Sequence, residues 1–171
     1  MFTKHRLSLI LILILLLALT LRLWGIDFGL PYRYHPDERG HVGTASDMAA
    51  DRTVRPPTFA WPPLYAYILM VEYAIYTGVS LLTGAASSIG GLMQTLRLDP
   101  SPLHRMARIT SALFGAVTVL PAYATGKQAD NRRVGLLAAW FTAVTFMHVR
   151  DSHYGVNDSL LTLLVSLSLL G

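Results

Sequence analysis

Cysteine is absent from this chain of 171 residues. Its absence excludes a disulfide framework, a zinc–thiolate site and a cysteine nucleophile. Charged residues are also scarce. Asp, Glu, Lys and Arg make up 14% of the sequence, whereas about a quarter of an average soluble domain is charged. Hydrophobic residues account for 53%. This composition excludes an ordinary soluble domain and predicts a membrane protein.

The first uncharged apolar run lies close to the amino terminus. Residues 7–21 carry no charge, and the apolar block that they begin approaches the ~20 residues of a membrane-spanning helix. A basic segment at residues 4–6 precedes it, so the positive-inside bias predicts a cytoplasmic amino terminus. A cleavable signal peptide begins in the same way, but no small-x-small cleavage site follows here. We therefore expect an uncleaved first helix over residues 7–24.

Further apolar blocks predict an all-α, polytopic transmembrane protein with about four or five apolar helices. After the first helix, we expect helices at residues 64–82, 105–125, 134–149 and 157–171. Residues 25–63 form the first extracytoplasmic loop, with a short helix along the membrane surface that opens at Asp37 or Glu38. The apolar helices predict a location in the plasma or inner membrane. Because the last block stops at Gly171 without a polar flank, we expect a truncated chain.

The positive charge of the chain fits a membrane protein. A formal charge of +4 would suit a nucleic-acid partner in a soluble chain. Here Lys and Arg mostly flank apolar runs, which is typical of membrane topology and of contact with lipid headgroups. We expect membrane lipids as partners and no nucleic acid.

The block at residues 64–82 leaves the topology open. It is rich in tyrosine and contains Glu72, and such side chains suit the headgroup zone. If the block spans the bilayer, Asp37 and Asp158 lie on opposite sides; if it lies in the interface or re-enters, both face the outside. Three basic residues become cytoplasmic in either case, so the positive-inside rule does not decide between the two.

The acidic pair Asp37–Glu38 follows the first helix within the sequence HPDE. Adjacent carboxylates near a membrane surface can provide a general base and a second acid that binds a metal ion or orients the base. They can equally mark the start of a helix, where acidic side chains complement the helix dipole. Both interpretations stay open. A zinc site of the HExxH type is not indicated, because that pattern is absent.

Arginines near two later helices are candidates for phosphate contacts. Arg105 and Arg108 stand three residues apart, on one face of a predicted helix, and a guanidinium matches phosphate oxygens. Snorkelling towards headgroups is the alternative. Arg150 and Asp158 lie in the segment RDSHYGVND before the last block. Asp158, at the edge of an apolar helix, is either a functional carboxylate or part of a helix cap.

Five sequence motifs, taken in order, resemble the membrane glycosyltransferases of the C-type fold. The motifs are LRLWGIDFGLP, HPDE, PPLYAYIL, ARITSALFGAVTVLPAYATGKQ and VGLLAAWFTAVTFMHVRDSHYGVNDSLLTLL. Within this group, the chain resembles the amino-terminal part of dolichyl-phosphate-mannose protein mannosyltransferases and aminoarabinose transferases. The resemblance implies a membrane enzyme that moves a sugar from a polyprenyl-phosphate donor to an acceptor on the extracytoplasmic face.

The resemblance also implies roles for individual residues. Asp37 is the general base that deprotonates the acceptor hydroxyl, so that transfer inverts the anomeric carbon. Glu38 positions Asp37 or a divalent ion, and Asp158 completes the site as the second candidate metal ligand. Arg108 matches the arginine that opens the next helix in that family, and with Arg105 and Arg150 it is a candidate for contact with the donor phosphate.

Two further implications concern topology and phosphate binding. The resemblance places the first-loop Asp and the later Asp on one extracytoplasmic face, which favours an interfacial or re-entrant helix at residues 64–82. It also implies a basic residue near the pair Pro62–Pro63, where this chain has Ala60 and Trp61.

Two other functions stay open on the sequence. A noncatalytic multi-pass protein or transporter fragment would carry ionisable residues at mid-bilayer depth, whereas the acids of this chain cluster at helix ends. An oligosaccharyltransferase-like enzyme would instead attach a preassembled glycan. The sequence does not indicate whether the sugar is a hexose or a pentose, or whether the acceptor is a protein, a lipid or a glycan.

Overall fold

The computed structural model describes residues 2–32 and 34–170. In this part of the chain the regular secondary structure is α-helical, which confirms the prediction of an all-α fold. The helices are α1 (Phe2–Leu23), α2 (Pro36–Ala50), α3 (Leu64–Leu82), α4 (Ile89–Leu98), α5 (Ser101–Val117), α6 (Val119–Ala129), α7 (Arg132–Val144), α8 (Phe146–Asp151) and α9 (Asp158–Ser168).

Three helical stretches of the described residues are long and apolar enough to cross a membrane. They are Arg6–Leu23 within α1, Leu64–Leu82, and Ser101–Ala129, which joins α5 and α6 through Thr118. This result confirms the prediction of several membrane-length helices by length and composition. The helix at residues 64–82 also has the bounds expected from the sequence.

Two features of the helix order differ from the sequence prediction. The polar connector after α3 contains a further helix, α4, whose N-cap Ser88 accepts a hydrogen bond from the backbone N–H of Gly91 at 3.1 Å. The single helix expected at residues 134–149 is divided into α7 and α8, because Thr145 has extended backbone angles (φ −60°, ψ 118°). Serine at a helix start and a local break in one helix are both weak signals in an apolar sequence.

The chain divides into two compact units. Unit 1 comprises the residues up to Ile26, Ile109–Tyr154 and the residues from Asp158 onward, and unit 2 comprises Asp27–Arg108 with Gly155–Asn157. Helix α5 belongs to unit 2 up to Arg108 and to unit 1 beyond it.

In unit 1, α6 and α7 form a tightly packed antiparallel hairpin around Asp130 and Asn131. The Asn131 side chain caps α7 by accepting hydrogen bonds from two backbone N–H groups at 2.9 and 3.2 Å. Glycines make the close approach possible. A Cβ atom on Gly126 would lie 3.0 Å from the Cα of Gly135, and a Cβ on Gly135 would lie 2.7 Å from the carbonyl oxygen of Tyr123.

Helix α1 packs beside α7 and runs parallel to it. Small and aliphatic side chains fill the core of this unit: Ile14, Ala18, Ala116, Val119, Ala139 and Ala143. The direction follows from Arg22 in the last turn of α1, because its guanidinium donates a 3.0 Å hydrogen bond to the carbonyl of Ala143 near the end of α7. The two helices therefore end at the same end of unit 1.

Arg22 also explains the division between α7 and α8. Its guanidinium is buried and donates to the carbonyls of Thr142 and Ala143, at 3.2 and 3.0 Å, and of Ala18 at 2.9 Å. In an uninterrupted helix the first two carbonyls would accept from backbone N–H groups four residues later. The Arg22 guanidinium replaces these N–H groups as the donor. It also puts a positive charge at the carboxyl-terminal end of α7, where the helix dipole is negative.

We predict that Gly135→Ala lowers the stability of the protein, because the added methyl group collides with the backbone of Tyr123. Overpacking of this kind costs about 1–3 kcal/mol. The matched control is Gly78→Ala in α3, where a Cβ atom meets nothing within 4 Å. This control should be neutral or stabilising by up to about 1 kcal/mol, since glycine disfavours a helix. Thermal unfolding in detergent micelles measures both effects. Equal unfolding temperatures for the two variants would contradict the packing of α6 against α7.

Candidate functional site

The local sequence explains why α2 begins at HPDE. His35 is the N-cap with extended backbone (φ −88°, ψ 120°), and Pro36 takes the first helical position, where its missing N–H is not needed. Asp37 and Glu38 then occupy the first turn. Consecutive helix residues point in different directions, so the two carboxylates lie in different environments. Asp37 is exposed, whereas Glu38 is fully buried.

Glu38 forms a two-pronged ion pair with Arg108 inside unit 2. The Arg108 Nε donates to Oε1 at 2.6 Å, and Nη2 donates to Oε2 at 2.8 Å. The remaining Nη1 donates to the carbonyl of Phe28 at 2.9 Å. Both side chains are almost completely buried. Parallel hydrogen bonds of this type are the strong form of a charged contact, and they fix the geometry as well as the distance.

A backbone N–H completes the environment of Glu38. Gly155 donates to Oε1 at 2.8 Å. A Cβ atom at this position would lie 2.6 Å from the Cβ of Ala107 and 3.4 Å from Oε1 of Glu38. Glycine therefore allows the segment after α8 to approach α5 closely enough to donate to the carboxylate.

Helix α3 is hydrogen-bonded to the part of α5 that carries Arg108. The hydroxyl of Tyr65 donates to the carbonyl of Ala107 at 2.8 Å, and the hydroxyl of Tyr73 donates to the carbonyl of Leu103 at 3.1 Å. Both tyrosines are buried. The sequence predicts the headgroup zone for the tyrosines of this helix, whereas these two side chains pack inside unit 2.

The start of α5 is fixed by Asp99, which accepts a hydrogen bond from the backbone N–H of Ser101 at 3.0 Å. Hydrogen bonds from the Ser101 side chain and backbone hold the pKa of Asp99 below its ordinary value. His104 follows in the first turns and is buried, with Nδ1 3.8 Å from Oε2 of Glu38. Histidine, arginine and glutamate thus share one interior region of unit 2.

The other predicted site residues are placed differently. Arg105 forms an ion pair with Asp27 at 2.6 Å, and each of these side chains is about half exposed. Arg150 pairs with its neighbour Asp151 at 2.6 Å. Asp158 is exposed and opens α9 in unit 1. Of the six predicted site residues, the structure brings Glu38 and Arg108 into contact with each other.

The sequence predicts Glu38 and Asp158 as the candidate ligands of a metal ion. Within the described ranges 2–32 and 34–170, no group of three or more His, Asp or Glu side chains is placed to hold a metal ion. Both carboxylate oxygens of Glu38 already accept hydrogen bonds from Arg108, and one also accepts from Gly155. Glu38 therefore does not fit the role of a metal ligand, and we derive no step through a metal.

Trp61 is a contact of α2 that the sequence analysis did not identify. A Cβ atom on Gly40 would lie 2.7 Å from Cζ3 of the indole, and the ring centroid of Trp61 lies 4.9 Å from that of His41. His41 in turn meets Tyr65 edge to face at 5.5 Å. The aromatic residue thus covers α2 at Gly40 and His41. The available signal in the sequence was Gly40, because another side chain can pack closely on a helix only where the helix has a small residue.

A polar cavity of about 300 Å³ lies beside this region in unit 2. One face of α2 lines it, together with α4 and the start of α5. The ionisable residues of its lining are Arg39, Asp47, Arg97 and His104. The two arginines make no ion pair with the residues that the structure describes.

Comparisons with known proteins add no family to this description. No protein-family model matches the chain, and neither the curated proteins nor the solved structures contain a significant match.

We predict that Arg108→Met destabilises the protein strongly, because it leaves the carboxylate of Glu38 buried without its partner. Breaking a buried pair in this way costs about 3–5 kcal/mol. Chemical unfolding in detergent micelles measures the loss. The double variant Glu38→Leu with Arg108→Met should lose less than the two single variants together, since contacting residues are not additive.

Arg105→Met is the matched control, one turn away on the same helix. Its ion pair with Asp27 is about half exposed, and such surface pairs contribute about 0–1 kcal/mol. If Arg108→Met were as mild as Arg105→Met, the buried pair would not hold α2 to α5.

Proposed function

We propose that this chain is a multi-pass membrane protein that acts in sugar transfer from a polyprenyl-phosphate donor to an acceptor on the extracytoplasmic face. The observation that carries the proposal is the different placement of the two acids in HPDE. Glu38 is fully buried and held by three hydrogen bonds. Asp37, the next residue, is exposed on the same rigid turn. A catalytic base needs both access to its substrate and a fixed position.

The exposed surface of α1 supports residence in a membrane. Its outward side chains are large and aliphatic, with exposed fractions between 43% and 56%: Leu9, Ile10, Ile12, Leu13 and Leu16. A contiguous apolar surface of this kind is unusual on a soluble monomer and marks contact with lipid or protein. Because the helix is also long enough to span a bilayer, lipid is the natural surrounding of this face.

The helix directions in unit 1 support one of the two topologies left open by the sequence. Helices α1 and α7 are parallel, and α6 is antiparallel to α7. If α1 leads from the cytoplasm to the outside, then α6 leads inwards and α7 outwards. The chain between α1 and the α5–α6 stretch therefore begins and ends outside. On this basis α3 lies in the interface or re-enters and is not a crossing, although it is long enough to be one.

Both predicted acids then belong to the extracytoplasmic side. Asp37 follows the outer end of α1. Asp158 opens α9 at the end of unit 1 where α1 and α7 finish, because Ser159 lies 3.0 Å from Ser152, which follows α8. The assignment of Asp37 rests on its place in the sequence after α1, and the assignment of Asp158 rests on contacts within unit 1.

The chemistry proposed for Asp37 is general base catalysis. Its carboxylate accepts the proton of an acceptor hydroxyl, and the hydroxyl oxygen forms a bond to the anomeric carbon of the donor sugar. The bond between that carbon and the phosphate oxygen breaks, and the electron pair leaves with the lipid phosphate. Attack from the side opposite the phosphate inverts the anomeric carbon. Asp158 remains a proposed second acid of the reaction.

The structure suggests revised roles for Glu38 and Arg108. The two side chains bind each other, so we propose that they are positioning residues. They anchor α2 and thereby hold Asp37 in place. Contact with the donor phosphate then falls to arginines that are not committed to buried partners. Arg39 and Arg97 face the 300 Å³ cavity from two helices, and guanidinium groups bind phosphate oxygens with two parallel hydrogen bonds.

A transport function receives less support from the structure. Transporters place helix breaks and buried charges near the bilayer midplane. The break at Thr145 lies beside Arg22, which stands one residue before the end of the Arg6–Leu23 stretch. This position is near the membrane surface.

We predict that Asp37→Asn reduces sugar transfer by about 10²–10⁴-fold, since the amide cannot accept the proton. The assay follows radiolabelled sugar from polyprenyl-phosphate hexoses and pentoses into acceptors of the native membrane. Because Asp37 is exposed, the variant should unfold at the same temperature as the unsubstituted protein.

Asp51→Asn is the matched control, since Asp51 is exposed at the other end of α2. It should retain full transfer. The proposal fails if Asp37→Asn retains transfer, if both variants lose it equally, or if the unsubstituted protein uses none of the donors.

We also predict the pattern of cysteine accessibility in intact cells. Single cysteines replace Thr58 before α3, Ser87 after α3, and Gln128 at the end of α6, all exposed positions in a chain without cysteine. A membrane-impermeant maleimide should label positions 58 and 87 and leave position 128 protected until the membrane is permeabilised. Protection at 87 with labelling at 128 would show instead that α3 crosses the bilayer.

A further inference from the structure

A groove of about 650 Å³ runs along α1 and α7 in unit 1. Nearly all of its lining is apolar. The residues are Leu7, Ile10, Leu13, Ile14 and Leu17 of α1, and Leu136, Leu137 and Trp140 of α7. The ninth lining residue is Arg133. The stripe from Leu7 to Leu17 is about 15 Å long at 1.5 Å per residue, which is about half of the ~30 Å hydrocarbon core and therefore the depth of one leaflet.

Arg133 gives the groove a charged end. It is the second residue of α7, and its side chain is exposed. No ion pair of Arg133 is present in the part of the chain that the structure describes. Long helical side chains point back towards the helix amino terminus, so the guanidinium extends towards the end of α1 that carries Arg6. An occupant of the groove therefore meets a positive charge at one end and hydrocarbon along the rest.

We propose that this groove binds an anionic phospholipid of the cytoplasmic leaflet. One acyl chain lies between α1 and α7, and the phosphate is paired with Arg133. Basic pockets between membrane helices on the cytoplasmic side recognise anionic headgroups in this way. A zwitterionic lipid supplies the same acyl chain but brings its own cation towards Arg133. The proposal rests on the membrane location and orientation proposed above for unit 1 and is independent of sugar transfer.

The neighbouring residue provides a matched control. Arg132 has the same charge and begins α7, but it does not line the groove. Gln in place of either arginine removes one positive charge from the same end of the helix. A difference between Arg132→Gln and Arg133→Gln therefore separates a specific site from a general attraction between a basic surface and anionic lipid.

Trp140 supplies the optical signal, because it lines the groove and is one of three tryptophans in the chain. Replacement of Trp24 and Trp61 by Phe leaves Trp140 as the sole emitter. The protein is reconstituted in phosphatidylcholine vesicles that contain increasing fractions of brominated phosphatidylglycerol, or of brominated phosphatidylcholine as the reference. Bromine quenches tryptophan on contact.

Brominated phosphatidylglycerol should quench Trp140 at a several-fold lower mole fraction than brominated phosphatidylcholine does. Arg133→Gln should abolish this preference, and Arg132→Gln should retain it. Equal quenching by the two lipids, or equal effects of the two substitutions, would overturn the proposal. Absence of quenching by either lipid would do so as well, because it would show that another protein segment covers the groove.

Discussion

The buried contact between Glu38 and Arg108 determines how unit 2 is held together. A carboxylate and a guanidinium in an apolar interior are tolerated only when both are fully hydrogen-bonded, and here the Phe28 carbonyl and the Gly155 N–H complete the set. The four residues come from three distant parts of the sequence, because only Phe28 and Glu38 lie near each other in the chain. Because all four residues are needed to hydrogen-bond the two charges, this contact specifies where α2 and α5 meet. It constrains the geometry of the fold more than it adds to the free energy of unfolding.

Much of the helical pattern could be predicted from the sequence, because long apolar blocks and the length of a bilayer crossing leave few choices. The bounds of α3 were predicted, and α2 begins at Pro36, directly before the start expected at Asp37 or Glu38. The sequence also singled out Glu38 and Arg108 by residue type. It could not show that they are partners, since 70 positions separate them and each has an independent interpretation as a catalytic or phosphate-binding group. Gly155 carried no signal, because its contribution is a backbone N–H and the space left by a missing side chain.

The break between α7 and α8 shows a different limit of sequence reasoning. Residues 134–149 contain no Asp, Glu, Lys or Arg, and no proline or glycine lies in the region where the helix is interrupted. The cause lies in Arg22, more than a hundred residues earlier. The same contact gives the direction of α1 relative to α7, from which the proposed membrane topology follows. One buried arginine at the end of the first helix thus carries more topological information than the distribution of basic residues in the loops.

Arg22 recognises α7 through main-chain oxygens and not through side chains. The hydrogen bonds of the guanidinium therefore do not depend on the side chains at positions 142 and 143. Position 143 must still be small, because Ala143 is fully buried in the core. Sequences that diverge from this one should be free to change position 142 without any matching change at position 22. Methods that infer contacts from correlated substitutions would be blind to this junction, even though it joins the first helix to the seventh.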